Sequence, residues 1–109
     1  MQTIMLMYIT GGTILIFLAI PLWFEKIPPN GLYGFRVEKT MSDPRVWYAV
    51  NKYSAQWLIL SGAVTMLASV ALFYMPNISV DIYALVLLAI FAIVFSIGIV
   101  KTVRYMNSL

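Results

Sequence analysis

Residues 4–24 read IMLMYITGGTILIFLAIPLWF, twenty-one positions without a charge. At about 1.5 Å rise per residue, a helix over this stretch reaches across the ~30 Å hydrocarbon core of a bilayer. A cleaved secretory leader is the rival interpretation. Leaders carry basic residues ahead of a shorter apolar stretch and small residues at its end. Here no basic residue precedes Ile4, and Leu22, Trp23, Phe24 and Glu25 follow Pro21. The stretch is therefore read as a retained membrane span.

Two further uncharged runs follow, Tyr53 to Val80 with a break at Pro76-Asn77, and Ile82 to Val100, which ends where Lys101 and Arg104 begin. Ser42-Asp43-Pro44 has the cap-then-proline order of a helix start,. A helix from Pro44 to Met75 would be about 48 Å long, so its first turns should stand proud of the membrane. The chain has 109 residues, of which 62% are hydrophobic and 10% charged, and its mean hydropathy is +0.92. That leaves too little polar surface for a small soluble fold. The expectation is an all-α membrane protein in one domain, 1–109, with three transmembrane helices at about 4–24, 53–75 and 82–100, and a structured loop over 25–52.

Orientation follows from the basic residues. Lys26, Arg36, Lys39, Arg45 and Lys52 lie in the first connecting segment, and Lys101 and Arg104 in the tail, whereas the start of the chain and the Pro76 to Asp81 turn hold none. With three spans the first connector and the tail share a side. The connector and C-terminus are expected in the cytoplasm and the N-terminus outside, in the cell membrane. Trp23, Trp47 and Tyr105 then fall near the inner boundary and Tyr74 near the outer one, as amphipathic rings prefer.

Composition also removes chemistries. Without cysteine or histidine, thiolate nucleophiles and the commonest general base and metal ligand are absent from the chain. Glu25, Glu38, Asp43 and Asp81 are too dispersed for a carboxylate dyad, and GLYG lacks the spacing and lysine of a phosphate loop,. No enzyme activity, cofactor or metal is expected. The net charge of +3 is read as topogenic, with no direct nucleic-acid partner.

In lipid, helices associate through close backbone approach and a few hydrogen bonds. Gly11 and Gly12 in the first span supply such a surface. So do Ser54, Ser61, Thr65 and Ser69 on one face of the second, and Ala89, Ala92 and Ser96 in the third. They are read as packing residues. A polar transport path is the sharper alternative, but no span contains an acidic or basic residue of the kind that relays need.

Functional chemistry is left to residues 25–52, EKIPPNGLYGFRVEKTMSDPRVWYAVNK. Pro28-Pro29 forces an extended path, and Asn30-Gly31 is a tight-turn signal. Gly34 frees the backbone between Tyr33 and Phe35. The apolar members of the segment are expected to lie against the bilayer interface or to fold back over the helix ends. Arg36 suits bidentate pairing with a carboxylate, a phosphate or backbone carbonyls. The plain expectation is an internal pair with Glu38 or Asp43, or a lipid headgroup contact; the functional one is an anionic or peptide partner. Trp47 and Asn51, four apart, share one helix face. Trp47 is either an interfacial anchor or a dock for the preceding loop, and Asn51 a hydrogen-bonding clamp on nearby backbone.

The combination Asn30, Tyr33-Gly34-Phe35-Arg36, Thr40, Trp47 and Asn51-Lys52 resembles the signature of the SdpI family of bacterial multi-spanning membrane proteins. Asn30, Gly34, Arg36, Thr40, Trp47 and Asn51 match the pattern. Val37 stands where threonine is usual, and Lys52 where arginine is common. The likeness extends over the loop and the second and third spans. The family's name-giving member is an immunity protein against a secreted peptide toxin and holds a transcriptional repressor at the membrane. The resemblance thus implies a non-enzymatic protein that binds a peptide toxin or a protein regulator, in immunity or signalling. The alternatives are a small oligomeric transporter or lipid-handling protein, built as a homo-oligomer, and an accessory subunit of a membrane complex.

Overall fold

The computed structural model describes residues 1–109 and contains four helices and no strand: α1 (Gln2–Trp23), α2 (Glu38–Ser42), α3 (Pro44–Phe73) and α4 (Val80–Asn107). Three of them, α1, α3 and α4, are long and apolar enough to cross a membrane.

Local chemistry sets their ends. α1 closes in a Schellman turn in which Glu25 N–H donates to Leu22 O at 3.2 Å and Lys26 N–H to Pro21 O at 2.9 Å,. Glu25 takes the left-handed conformation, φ +58°, that glycine usually supplies there. α3 begins where Asp43 Oδ1 accepts from Arg45 N–H at 2.9 Å, with Pro44 in the first turn where its missing N–H costs nothing,. It stops at Phe73, just before Pro76. Ser79 caps α4 by accepting from Ile82 N–H at 3.2 Å. α4 runs past the end of the apolar run at Val100 to Asn107, because Lys101 and Arg104 are themselves good helix formers and Arg104 suits a last turn,.

The order up, down, up brings the end of α1, the start of α3 and the end of α4 together. All seven basic residues sit at or near this end, called the basic end below. α3 is central, with α1 on one side and α4 on the other.

α1 and α3 come closest at Gly12 and Gly62. A Cβ on Gly62 would lie 3.0 Å from Gly12 O, and one on Gly12 2.5 Å from Met66 Cγ. α3 and α4 meet where Gly98 faces Trp57, a Cβ on the glycine falling 2.7 Å from Trp57 Cβ. Two aromatic contacts fix their register: Tyr83 O–H donates to Ser69 O at 2.6 Å, and Tyr53 stacks on Tyr105 at 4.5 Å.

Ser61, Thr65 and Ser69 are buried. Their hydroxyls donate to Trp57 O, Ser61 O and Met66 O of α3 itself, each at 2.7 Å. They therefore pack as small side chains and link no helices through their own hydroxyls. Gly11 is exposed, and a Cβ there would meet nothing within 4 Å. Ala89, Ala92 and Ser96 face outward, while Tyr83, Leu87, Gly98 and Thr102 carry the buried side of α4.

Candidate functional site

The connector from Phe24 to Asp43 folds back over the helix ends and is held there by side chains whose partners are backbone groups. Asn30 builds its first turn. Its Oδ1 accepts from Leu32 N–H and Tyr33 N–H, both at 2.8 Å, while Nδ2 donates to Pro28 O at 2.9 Å and Tyr33 O at 3.0 Å. Four bonds from one amide lock a segment whose prolines already restrict it.

Next the chain threads between α1 and α3. Tyr33 O–H donates to Leu18 O of α1. Burial raises the Tyr33 phenol above its ordinary pKa of 10.0, keeping it a neutral donor,. Gly34 passes against α3 at φ +119°. A Cβ there would stand 2.8 Å from the Trp47 ring and 3.0 Å from Asn51 Oδ1, so this position needs glycine for both conformation and space,.

From α3, Trp47 and Asn51 reach up to the connector from one face. Trp47 is fully buried, and its Nε1–H donates to Ile27 O at 2.8 Å. Asn51 Oδ1 accepts from Phe35 N–H at 2.5 Å, and its Nδ2 donates to Trp47 O at 3.0 Å. Thr40 closes the far side. Its Oγ1 accepts from Val37 N–H at 3.0 Å, half of a capping box for α2, and lies 2.9 Å from both Phe35 O and Val37 O,.

Arg36 does not pair with Glu38 or Asp43. Its Nη1–H donates to Gly31 O at 2.6 Å. The reason is local: Glu38 opens α2, and Asp43 is engaged in capping α3 and in a 3.8 Å exposed pair with Arg45. Five of the residues that make up this clamp, Asn30, Gly34, Thr40, Trp47 and Asn51, with Arg36 on its outside, are the pattern quoted from the sequence. The model of the SdpI/YfhL protein family matches residues 26–103, from the connector through most of α4. The chain belongs to the SdpI/YfhL family.

Among its relatives is the uncharacterised protein YfhL of Bacillus subtilis (strain 168), 41% identical over 59 residues, covering 51% of this chain and 52% of YfhL. The chain thus spans about half the length of the curated relative it matches. No solved structure matches. In this SdpI/YfhL chain Val37 contributes only backbone to the clamp, its N–H held by Thr40, and Lys52 is exposed.

Beneath the clamp lies a cavity of about 290 Å³ between α1, α3 and α4, with Tyr33, Gly34 and Phe35 in its wall. Above it, the connector turns Leu32 outward at 91% exposure, with Arg36, Val37 and Met41 also exposed. Sequence reasoning singled out the clamp's side chains but not its backbone partners Ile27 and Leu18, nor Gly62, Tyr83 and Gly98. Glycines within uncharged runs were the available signal for two of these.

Proposed function

We propose that this chain is a non-enzymatic protein of the bacterial cytoplasmic membrane, one domain over 1–109, that binds a peptide toxin or protein regulator in immunity or signalling. Its basic end and connector face the cytoplasm, as the distribution of lysine and arginine favours. The observation that carries the binding reading is the outer face of the connector. The bond from Arg36 to Gly31 O sets the guanidinium beside Leu32 and uses one of its five N–H donors,. An exposed leucine next to unspent donors on a clamped backbone offers an apolar contact and a carbonyl- or carboxylate-binding fork, with little ordering cost on binding.

The test is survival. Cells that produce one of a panel of membrane-active peptides of the secreted kind, and are made to express the chain, survive at least one of them. Arg36→Ala and Leu32→Asp lose that protection while reaching the membrane in equal amount. Unchanged killing across the panel, or full protection by Arg36→Ala, contradicts the reading.

A small oligomeric transporter or lipid-handling protein is the second reading. It draws on the outward stripe Ala89, Ala92 and Ser96, along which a second copy could approach closely,. Cross-linking in native membranes that yields only monomer removes it.

A further inference from the structure

α1 and α4 flank α3 but are joined to each other by one side-chain hydrogen bond, Tyr8 O–H to Ala84 O at 3.2 Å, at the end away from the basic residues. From there a crevice separates them. It consists of two cavities in line, of about 290 Å³ and about 270 Å³, which share Leu15 as a wall. Its α3 lining runs from Ser54 to Thr65 and its α4 lining from Thr102 back to Phe91. Eleven positions at 1.5 Å each give a depth of about 16 Å. One leaflet of a bilayer is about 15 Å deep, half of the ~30 Å core.

The walls decide what fits. Ser54, Ser61 and Thr65 spend their hydroxyls on the carbonyls of Asn51, Trp57 and Ser61 in α3. Thr102, at the mouth, is the lining residue whose hydroxyl makes no such bond, and no fully enclosed side-chain polar atom lacks a partner. An extended peptide in this crevice would bury its N–H and C=O groups without partners, at several kcal/mol each in such surroundings. A helix is too wide: at ~10 Å diameter over this depth it needs on the order of 1,000 Å³. A hydrocarbon chain has neither problem. At the mouth, beside Tyr33 and Thr102, lies the end of the molecule that holds all seven lysines and arginines.

We propose that the crevice between α1 and α4 holds one acyl chain of an anionic phospholipid, with the headgroup at the basic end. This is independent of the connector's outer face, because Arg36 and Leu32 do not line the crevice.

The test uses the full chain in mild detergent, incubated with equal amounts of dioleoyl phosphatidylglycerol and dioleoyl phosphatidylcholine, and native mass spectrometry of the lipid retained. One phosphatidylglycerol is retained per chain, at least about fivefold over phosphatidylcholine, the discrimination expected from a single nearby cation. Leu15→Trp, whose ring fills the junction of the two cavities, lowers retention of both lipids by about tenfold or more, since several methylenes lose their site. Gly11→Leu, at a position open to a larger side chain, does the same in the cavity of about 270 Å³, farther from the mouth, and guards against misfolding of the first variant. Equal retention of the two lipids, or retention unchanged in both variants, overturns the proposal. Peptide protection by Leu15→Trp stays intact, which separates this site from the connector.

Discussion

The N–H of Phe35 donates to the side-chain Oδ1 of Asn51 at 2.5 Å, joining the connector to the central helix across sixteen positions of sequence. Asn51 is 1% exposed, and its other amide atom is held by Trp47 O. The bond therefore sits where water cannot replace it, and the connector's fold depends on it.

Asn51→Ala leaves the Phe35 N–H without its partner. The expected cost is about 1–3 kcal/mol, read as a lower melting temperature in detergent. Trypsin should also cut faster at Lys26, Arg36 and Lys39 in the connector while leaving α1 and α4 intact. Unaltered cleavage would show that the connector is held without Asn51.

Gly34→Ala and Gly31→Ala form a matched pair. At Gly34 the methyl meets the Trp47 ring at 2.8 Å on a backbone of φ +119°, whereas at Gly31 it meets nothing within 4 Å. The first substitution should destabilise by about 2 kcal/mol or more and alter Trp47 fluorescence, and the second should stay within about 0.5 kcal/mol. Thermal melts of the two variants side by side check this.

Gly98→Ala forces α3 and α4 apart, because the new methyl would stand 2.7 Å from Trp57 Cβ. A loss of about 1–3 kcal/mol is expected. Gly11→Ala, in open space, should be neutral or gain up to about 1 kcal/mol through helix propensity. Equal effects in the same denaturation assay would contradict the placement of α4.

Glu25→Gly should stabilise. Glu25 holds φ +58° at the close of α1, a conformation that costs a residue with a Cβ about 1 kcal/mol relative to glycine,. The variant's melting temperature should rise by a few degrees.

Much of the fold is legible in the sequence because its determinants are local. Asp43-Pro44 marks the start of α3, Pro76 follows its end, and uncharged runs of sufficient length mark three helices. The face shared by Trp47 and Asn51 follows from their spacing alone. What the two residues hold does not, since Ile27 O and Phe35 N–H are backbone groups that any sequence carries. α4 shows the other limit. A helix apolar on every side has no stripe to reveal which face is buried, so Ala89, Ala92 and Ser96 read as packing residues, yet they face outward while Tyr83 and Gly98 pack. Arg36 failed to find its expected carboxylates because Glu38 and Asp43 serve helix starts, and a nearby carbonyl was closer.

The chain has no cysteine, so single cysteines report sidedness without background. Leu32→Cys places a thiol at the most exposed point of the connector, and Asn77→Cys one in the exposed turn between α3 and α4. Labelling of intact cells with a membrane-impermeant maleimide should modify Asn77→Cys at once and Leu32→Cys only after the cells are opened. Modification of Leu32→Cys in intact cells would contradict a three-span bundle that turns its clamped connector to the cell interior.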